Sequence, residues 1–260
     1  MDGVTTGIGK PAAGSGSFLL TASCSLLPFV SGPLSAQISD NSFLIEEAYN
    51  QEPGVVQHIS TFTRANGGGA WAYTFTQEWP LLSELYQLSY MVPVLHDEDS
   101  GTGLGDIGVN FRYQLLGGKG TAVHATPRLS LIVPTGSEAR GRGTGDVSVQ
   151  ANLPVSWVPA AGVATHWNAG LTLSNSPATP FLGASAVWLF RPALNFLVET
   201  LWTGGEQQSL LLNPGLRGAL NFASGLQIVP GLAYTIGLSD QAGPDGIFLY
   251  LSFEHPFKPH

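Results

Sequence analysis

This chain of 260 residues has a formal net charge of −8 and only 11% charged side chains, against about 25% in an average soluble domain. A soluble surface is hard to build from so little charge, and the acidic balance argues against nucleic acid as a partner. Beyond the N-terminal region no apolar run approaches the ~18 residues of a membrane-spanning helix, although 43% of residues are hydrophobic and mean hydropathy is +0.16. A sheet closed on itself in a bilayer reconciles these facts, because lipid-facing and lumen-facing residues alternate and no window becomes strongly hydrophobic.

Residues 1–36 read as an export signal. Lys10 supplies positive charge, 18–30 form a leucine-rich apolar core, and Ser35-Ala36 offer a small-residue cleavage point. Asp2, Pro28 and Leu34 depart from that pattern, and a plain N-terminal tail is the alternative. The one cysteine, Cys24, falls inside this segment, so the processed chain has none to spend on a disulfide or a metal. Thr21 stands where a lipidation signal wants an aliphatic residue, which argues against an acylated Cys24.

Residues 37–53 form a separate short segment, either periplasmic or folded inward as a plug. Ser42 is placed to cap a short helix through Glu46, Glu47 and Ala48 that Pro53-Gly54 would stop. The acidic side chains Glu46, Glu47 and Glu52 are the plug candidates, and a solvated extension is the commoner arrangement.

From residue 54 the hydrophobic period is two. In 146–157, Val147, Val149, Ala151, Leu153, Val155 and Trp157 share one face, opposite Ser148, Gln150, Asn152 and Ser156. Twelve strands are predicted, at 54–64, 70–79, 83–93, 104–116, 121–134, 145–158, 163–174, 181–190, 193–203, 208–222, 225–237 and 246–255. The links between them sort by length. Gly117-Gly-Lys-Gly120, Pro159-Ala-Ala-Gly162, Arg191-Pro192 and Ala223-Ser224 are tight. Residues 96–102, 135–144, 174–180, 203–208 and 239–246 are longer and polar. Short turns on one side and long loops on the other are what a transmembrane barrel requires, and a soluble sandwich has no reason for the sorting. Trp71, Trp79, Trp157, Trp188, Phe190 and Trp202 fall near strand ends, as interfacial girdles do. The fold class is therefore all-β, a transmembrane antiparallel up-and-down barrel of about twelve strands over 54–257, set in outer-membrane lipid.

Three stretches carry a family resemblance. They are Ile45-Glu-Glu-Ala-Tyr-Asn-Gln-Glu-Pro-Gly-Val-Val-Gln-His-Ile59, Gly103-Leu-Gly-Asp-Ile-Gly-Val-Asn-Phe-Arg-Tyr113, and Pro127-Arg-Leu-Ser-Leu-Ile-Val-Pro-Thr-Gly136 followed by Gly143-Thr-Gly-Asp146. In this order they resemble the outer-membrane transporter-like family named for the meta-pathway of phenol degradation, over about half of the chain left after processing. The resemblance implies a barrel that passes small aromatic or hydrophobic solutes. The last strand ends at Phe257 and is followed by Lys258-Pro-His260, whereas such barrels commonly end on an aromatic residue read by the barrel-assembly machinery.

If the apolar face meets lipid, Arg112, Arg128, Gln150, Asn152, His166, Asn168, Glu199 and Arg217 point into the lumen. Arginines there need partners. Glu199 or the Glu46–Glu47 pair is the expected acidic partner of Arg112 and Arg128, and the whole set is either a selective constriction or a structural network. His96, Asp97, Glu98 and Asp99 do not have the spacing of a calcium loop. No nucleophile motif, metalloprotease motif or phosphate-binding loop occurs, so neither catalysis nor a cofactor is expected. Ser156 and His166 fall on neighbouring strands, on the polar and not the lipid face. A passive channel for small molecules is the reading, with an outer-membrane lipid-modifying enzyme or a plugged structural barrel as alternatives.

Overall fold

Alternation of apolar and polar residues from Val55 onward gives each strand two faces, and a wall of such strands has no free edge only when it closes. The computed structural model describes residues 42–257 except 119 and 192, and in it the wall does close. The export-signal and Cys24 readings, and the tail after Phe257, lie outside the described residues.

Twelve antiparallel staves make the barrel. They are β1 (Val55–Ala65), β2 (Trp71–Leu81), β3 (Ser83–Asp97), β4 (Gly101–Leu104 and Ile107–Tyr113) and β5 (Val123–Ala125 and Arg128–Val133). Next come β6 (Ser148–Ala160), β7 (Val163–Leu173), β8 (Thr179–Arg191) and β9 (Leu194–Thr203). The last are β10 (Ser209–Gly218 and Leu220–Asn221), β11 (Gln227–Gly237) and β12 (Gly246–Pro256). Each pairs with its chain neighbours. The first pairs with the last in unbroken register from Val55↔Pro256 to Ala65↔Gly246. The predicted strands match these staves with ends displaced by a few residues. The largest displacement is in β3, which runs on through His96 and Asp97. Above the bilayer a strand needs only a ladder, and Gly101–Leu104 supplies it.

The outward face is apolar over most of the wall: Leu129, Leu131, Leu153, Trp167 and Leu182 are each between 43% and 56% exposed. An apolar band of this extent is stable against lipid and not against water. Trp71 and Trp202 mark its outer edge, and Trp79, Trp157 and Trp188 the periplasmic edge, by their positions at strand ends. Loops 134–147, 174–178 and 238–245 rise on the outer side. The turns at 82, 161–162 and 222–226 close the periplasmic side.

The first correction concerns residues 42–54. No helix forms after Ser42; the chain there is irregular and lies inside the barrel, not in the periplasm. A helix would have satisfied its own backbone groups, but the inward face of the wall supplies better-placed partners.

Candidate functional site: a plugged lumen

Irregular backbone enclosed in a barrel must find a partner for every amide it buries. In this lumen the partners are wall side chains. Starting at the periplasmic mouth, the Gln51 amide donates to Gln87 Oε1 (2.7 Å) and its side chain to Gln57 Oε1 (2.5 Å). The Ala48 amide donates to Ser156 Oγ (2.8 Å), while its carbonyl accepts from Thr126 Oγ1 (2.8 Å) and Gln114 Nε2 (3.0 Å). Asn168 grips Glu46 as a neighbouring strand would, accepting from its amide (3.0 Å) and donating to its carbonyl (2.7 Å). Glu199 Oε1 then accepts the consecutive amides of Phe43, Leu44 and Ile45 at 2.9, 2.8 and 3.1 Å, and its Oε2 accepts from Asn213 Nδ2 (2.9 Å).

Side chains of the plug are held as well. Phe43 lies against Phe248 and Tyr250, with ring centroids 5.5 and 5.2 Å away. Its ring occupies a slot left by Gly215 and Gly231; a Cβ at Gly231 would fall 2.4 Å from it. Tyr49 meets the rings of His124 and His166 edge-on. Glu46 takes both ends of the Arg128 guanidinium, at 2.7 and 2.9 Å, a fork that fixes orientation as well as charge.

All eight lumen candidates lie on the inward face. Arg128 also donates to Asn110 and to Gln150 Oε1 (2.6 Å), and Gln150 donates to Thr172. Asn152 donates to Asn168 (3.2 Å), and His166 Nδ1 is 2.7 Å from Ser156 Oγ. Arg217 is fully buried, in register with Asn195 and Gly231. The expected shared partner of the two arginines is corrected in part. Glu46 does pair with Arg128, but Arg112 donates to the Glu47 carbonyl, and Glu199 is committed to plug amides. Glu52 is corrected too: it stays exposed at the mouth, where its carbonyl accepts the Val55 amide. Gln57, Gln87 and Glu78, whose carboxylate accepts from Gln87 (2.8 Å), are inward residues that periodicity alone did not single out.

Above the plug, the stretches 103–113 and 127–146 meet at Asp106. Its Oδ1 accepts the Gly136 amide (2.9 Å), and its Oδ2 accepts the amide and hydroxyl of Thr144 (2.8 and 3.1 Å). Thr135 Oγ1 donates to the Gly105 carbonyl and accepts from the Ile107 amide. The glycines are required by closeness, since a Cβ at Gly143 would lie 2.3 Å from Asp106 Oδ1. Arg142 fastens the far side of the loop to the carbonyls of Ser100 and Gly101. Asp106→Ala is expected to loosen residues 134–147 by about 2 kcal/mol. Trypsin cleavage after the exposed Arg140 would then run roughly 30-fold faster, with the barrel still folded.

No protein-family profile matches the chain, and no curated protein matches it in sequence. Solved structures do resemble it. The COG4313 outer membrane channel from Pseudomonas putida F1 superposes with a TM-score of 0.61 at 11% identity, over 80% of this chain and 97% of that one. This is an outer-membrane channel fold. The KdgM porin (TM-score 0.54, 8% identity, 78% and 99% covered) and the NanC porin (0.54, 7%, 78% and 100%) share it. At such identities the likeness extends to the wall and not to what passes through it. Among the described residues no group of three or more metal-ligating side chains occurs, and the acidic run at 97–99, the end of β3 and the turn after it, is exposed.

Proposed function

We propose that the chain is an outer-membrane channel for small, uncharged, apolar or aromatic molecules, and a divergent member of the family named for the meta-pathway of phenol degradation. The observation that carries the reading is the segregation of charge along the lumen. In the outer half the inward residues of β1–β3 are Ile59, Thr61, Thr63, Thr74, Thr76 and Met91, all partly accessible, and Leu44 packs nearby on the plug. Among the described residues, the charged groups on the inward face of the staves (Glu78, Arg112, Arg128, Glu199, Arg217, Glu254) lie at the level of the plug or below. The wall of that half offers dispersion contact and a few hydroxyls, and the charges beside it, Asp97, Arg140 and Arg142, sit at the outer rim.

Charge at the entrance supports the same solute class. Asp97, Glu98, Asp99, Glu138, Glu206 and Asp240 are exposed on the outer side, against Arg64 and Arg140. A rim of that sign disfavours anions. One KdgM structure was solved with oligogalacturonate, a polyanion. Here the wall arginines Arg112 and Arg128 are engaged with the plug.

The enzyme alternative has one observation behind it, the Ser156–His166 contact. Both residues are fully buried beneath the plug, and Ser156 is occupied by the Ala48 amide, so the pair acts as a fastening.

The test uses cells with an intact outer membrane, with and without the chain. Entry of an uncharged aromatic dye is expected to rise with expression, and entry of its sulfonated counterpart to stay at background. Equal entry of both, or of neither, would overturn the assignment.

A further inference from the structure

The barrel closes where β1 meets β12, and on the outward side of that seam two histidines face each other near the periplasmic edge. His58 Nε2 and His255 Nε2 are 3.3 Å apart, with the rings stacked at 5.4 Å. We propose that this pair is a binding site for a divalent transition-metal ion of the zinc type, which clips the first strand to the last.

Three observations carry the assignment. The first is distance. Two nitrogens each about 2.0–2.1 Å from a tetrahedral ion lie about 3.3–3.4 Å from one another, which is the separation present, whereas a direct hydrogen bond from a ring N–H is usually near 2.9–3.0 Å. The second is the tautomer of His255. Its Nδ1 lies 3.2 Å from the Pro256 carbonyl, which only accepts, so Nδ1 carries the proton and Nε2 turns a lone pair toward His58. A backbone carbonyl on the far nitrogen is the usual outer partner of a metal-bound imidazole. The third is placement. Both rings are half-buried and lie within a few residues of the strand ends, and His58 rests on Phe75 at 6.1 Å. Imidazole ligands suit zinc, copper and nickel and not calcium or magnesium. With two protein ligands, the remaining positions go to water.

A ligand bound only by the closed barrel stabilises closure by mass action. The two ligands lie near opposite ends of the described chain, so the ion ties together the strands that must meet for the wall to exist.

The experiment uses the full chain, folded in detergent and carrying no histidine tag, titrated with zinc chloride. One ion per barrel is expected, with the unfolding midpoint raised by about 5 °C at saturation. His58→Gln and His255→Gln should each abolish both effects, and His96→Gln, at the outer end, should leave them intact. Binding that survives both seam variants, or no response in the native chain, would overturn the site and leave a plain imidazole–imidazole contact. Copper loaded into the native chain gives a readout that no variant is needed for: its paramagnetic spectrum should show two coupled imidazole nitrogens, and a single nitrogen refutes the site.

Discussion

Glu199→Ala should raise the ion conductance of the barrel sharply. One side-chain oxygen accepts three successive amides at the inner end of the described plug, and leaving a buried donor without its acceptor costs about 1–3 kcal/mol each. Alanine removes all three and leaves the donors facing a pocket sized for the lost carboxylate. Asn168, Ser156 and the Arg128–Glu46 fork remain, so the segment stays tethered and the loss is on the order of 3–5 kcal/mol. That raises the undocked population by roughly two to four orders of magnitude. In planar bilayers the native chain is expected to pass little current, the variant to show frequent long openings, and a chain lacking residues 42–52 to show the full open level. A variant as silent as the native chain, with the deletion conducting, would mean that Glu199 does not hold the plug.

The second large effect is on the lipid face. Leu153 points outward near the middle of β6, in register with outward Ala169 on β7. Leu153→Arg should cost about 2–4 kcal/mol, measured by denaturant unfolding in lipid vesicles. Val149→Arg, nearer the outer end of the same strand, should cost less, because the penalty falls toward the interface. Thr74→Arg, inward on β2 and facing the open part of the lumen, should be milder still. Equal costs at all three would contradict the assignment of faces. Gln150 is no neutral control for this comparison, since it accepts from Arg128 and an arginine there would oppose a like charge.

The wall was readable in the sequence because its physics is local. A period of two, in register with apolar residues, places Leu153 and Trp167 outside and Asn152 and Asn168 inside with no knowledge of which strands pair. Loop sorting then settled the direction of the barrel. The plug was not readable for the opposite reason. Residues 42–52 have no period, and their conformation is decided by side chains that come together only when the wall closes. Ser42 looks like a helix cap in isolation, yet in the barrel its hydroxyl lies 2.7 Å from Ser185 Oγ. Glu199 looked like an arginine's partner because charge was the only criterion available, and three unsatisfied amides outcompeted that pairing. Asp106 passed unnoticed as part of a short Gly-Asp motif. Its role is to gather amides from a loop some thirty residues downstream, at Gly136 and Thr144, which no spacing rule encodes.

The position of the plug in the chain has a consequence for assembly. Its backbone is the first described part to be synthesised, yet Phe43 waits for an acceptor 156 residues downstream. Contacts of such range form late, after the entropy of a long loop has been overcome. The plug lies inside a wall whose final joint is β1 with β12, the strand directly attached to it meeting the last one made. Closure and filling are therefore one cooperative event: the lumen is never an empty cylinder into which a finished stopper is pushed. The chain folds around its own beginning.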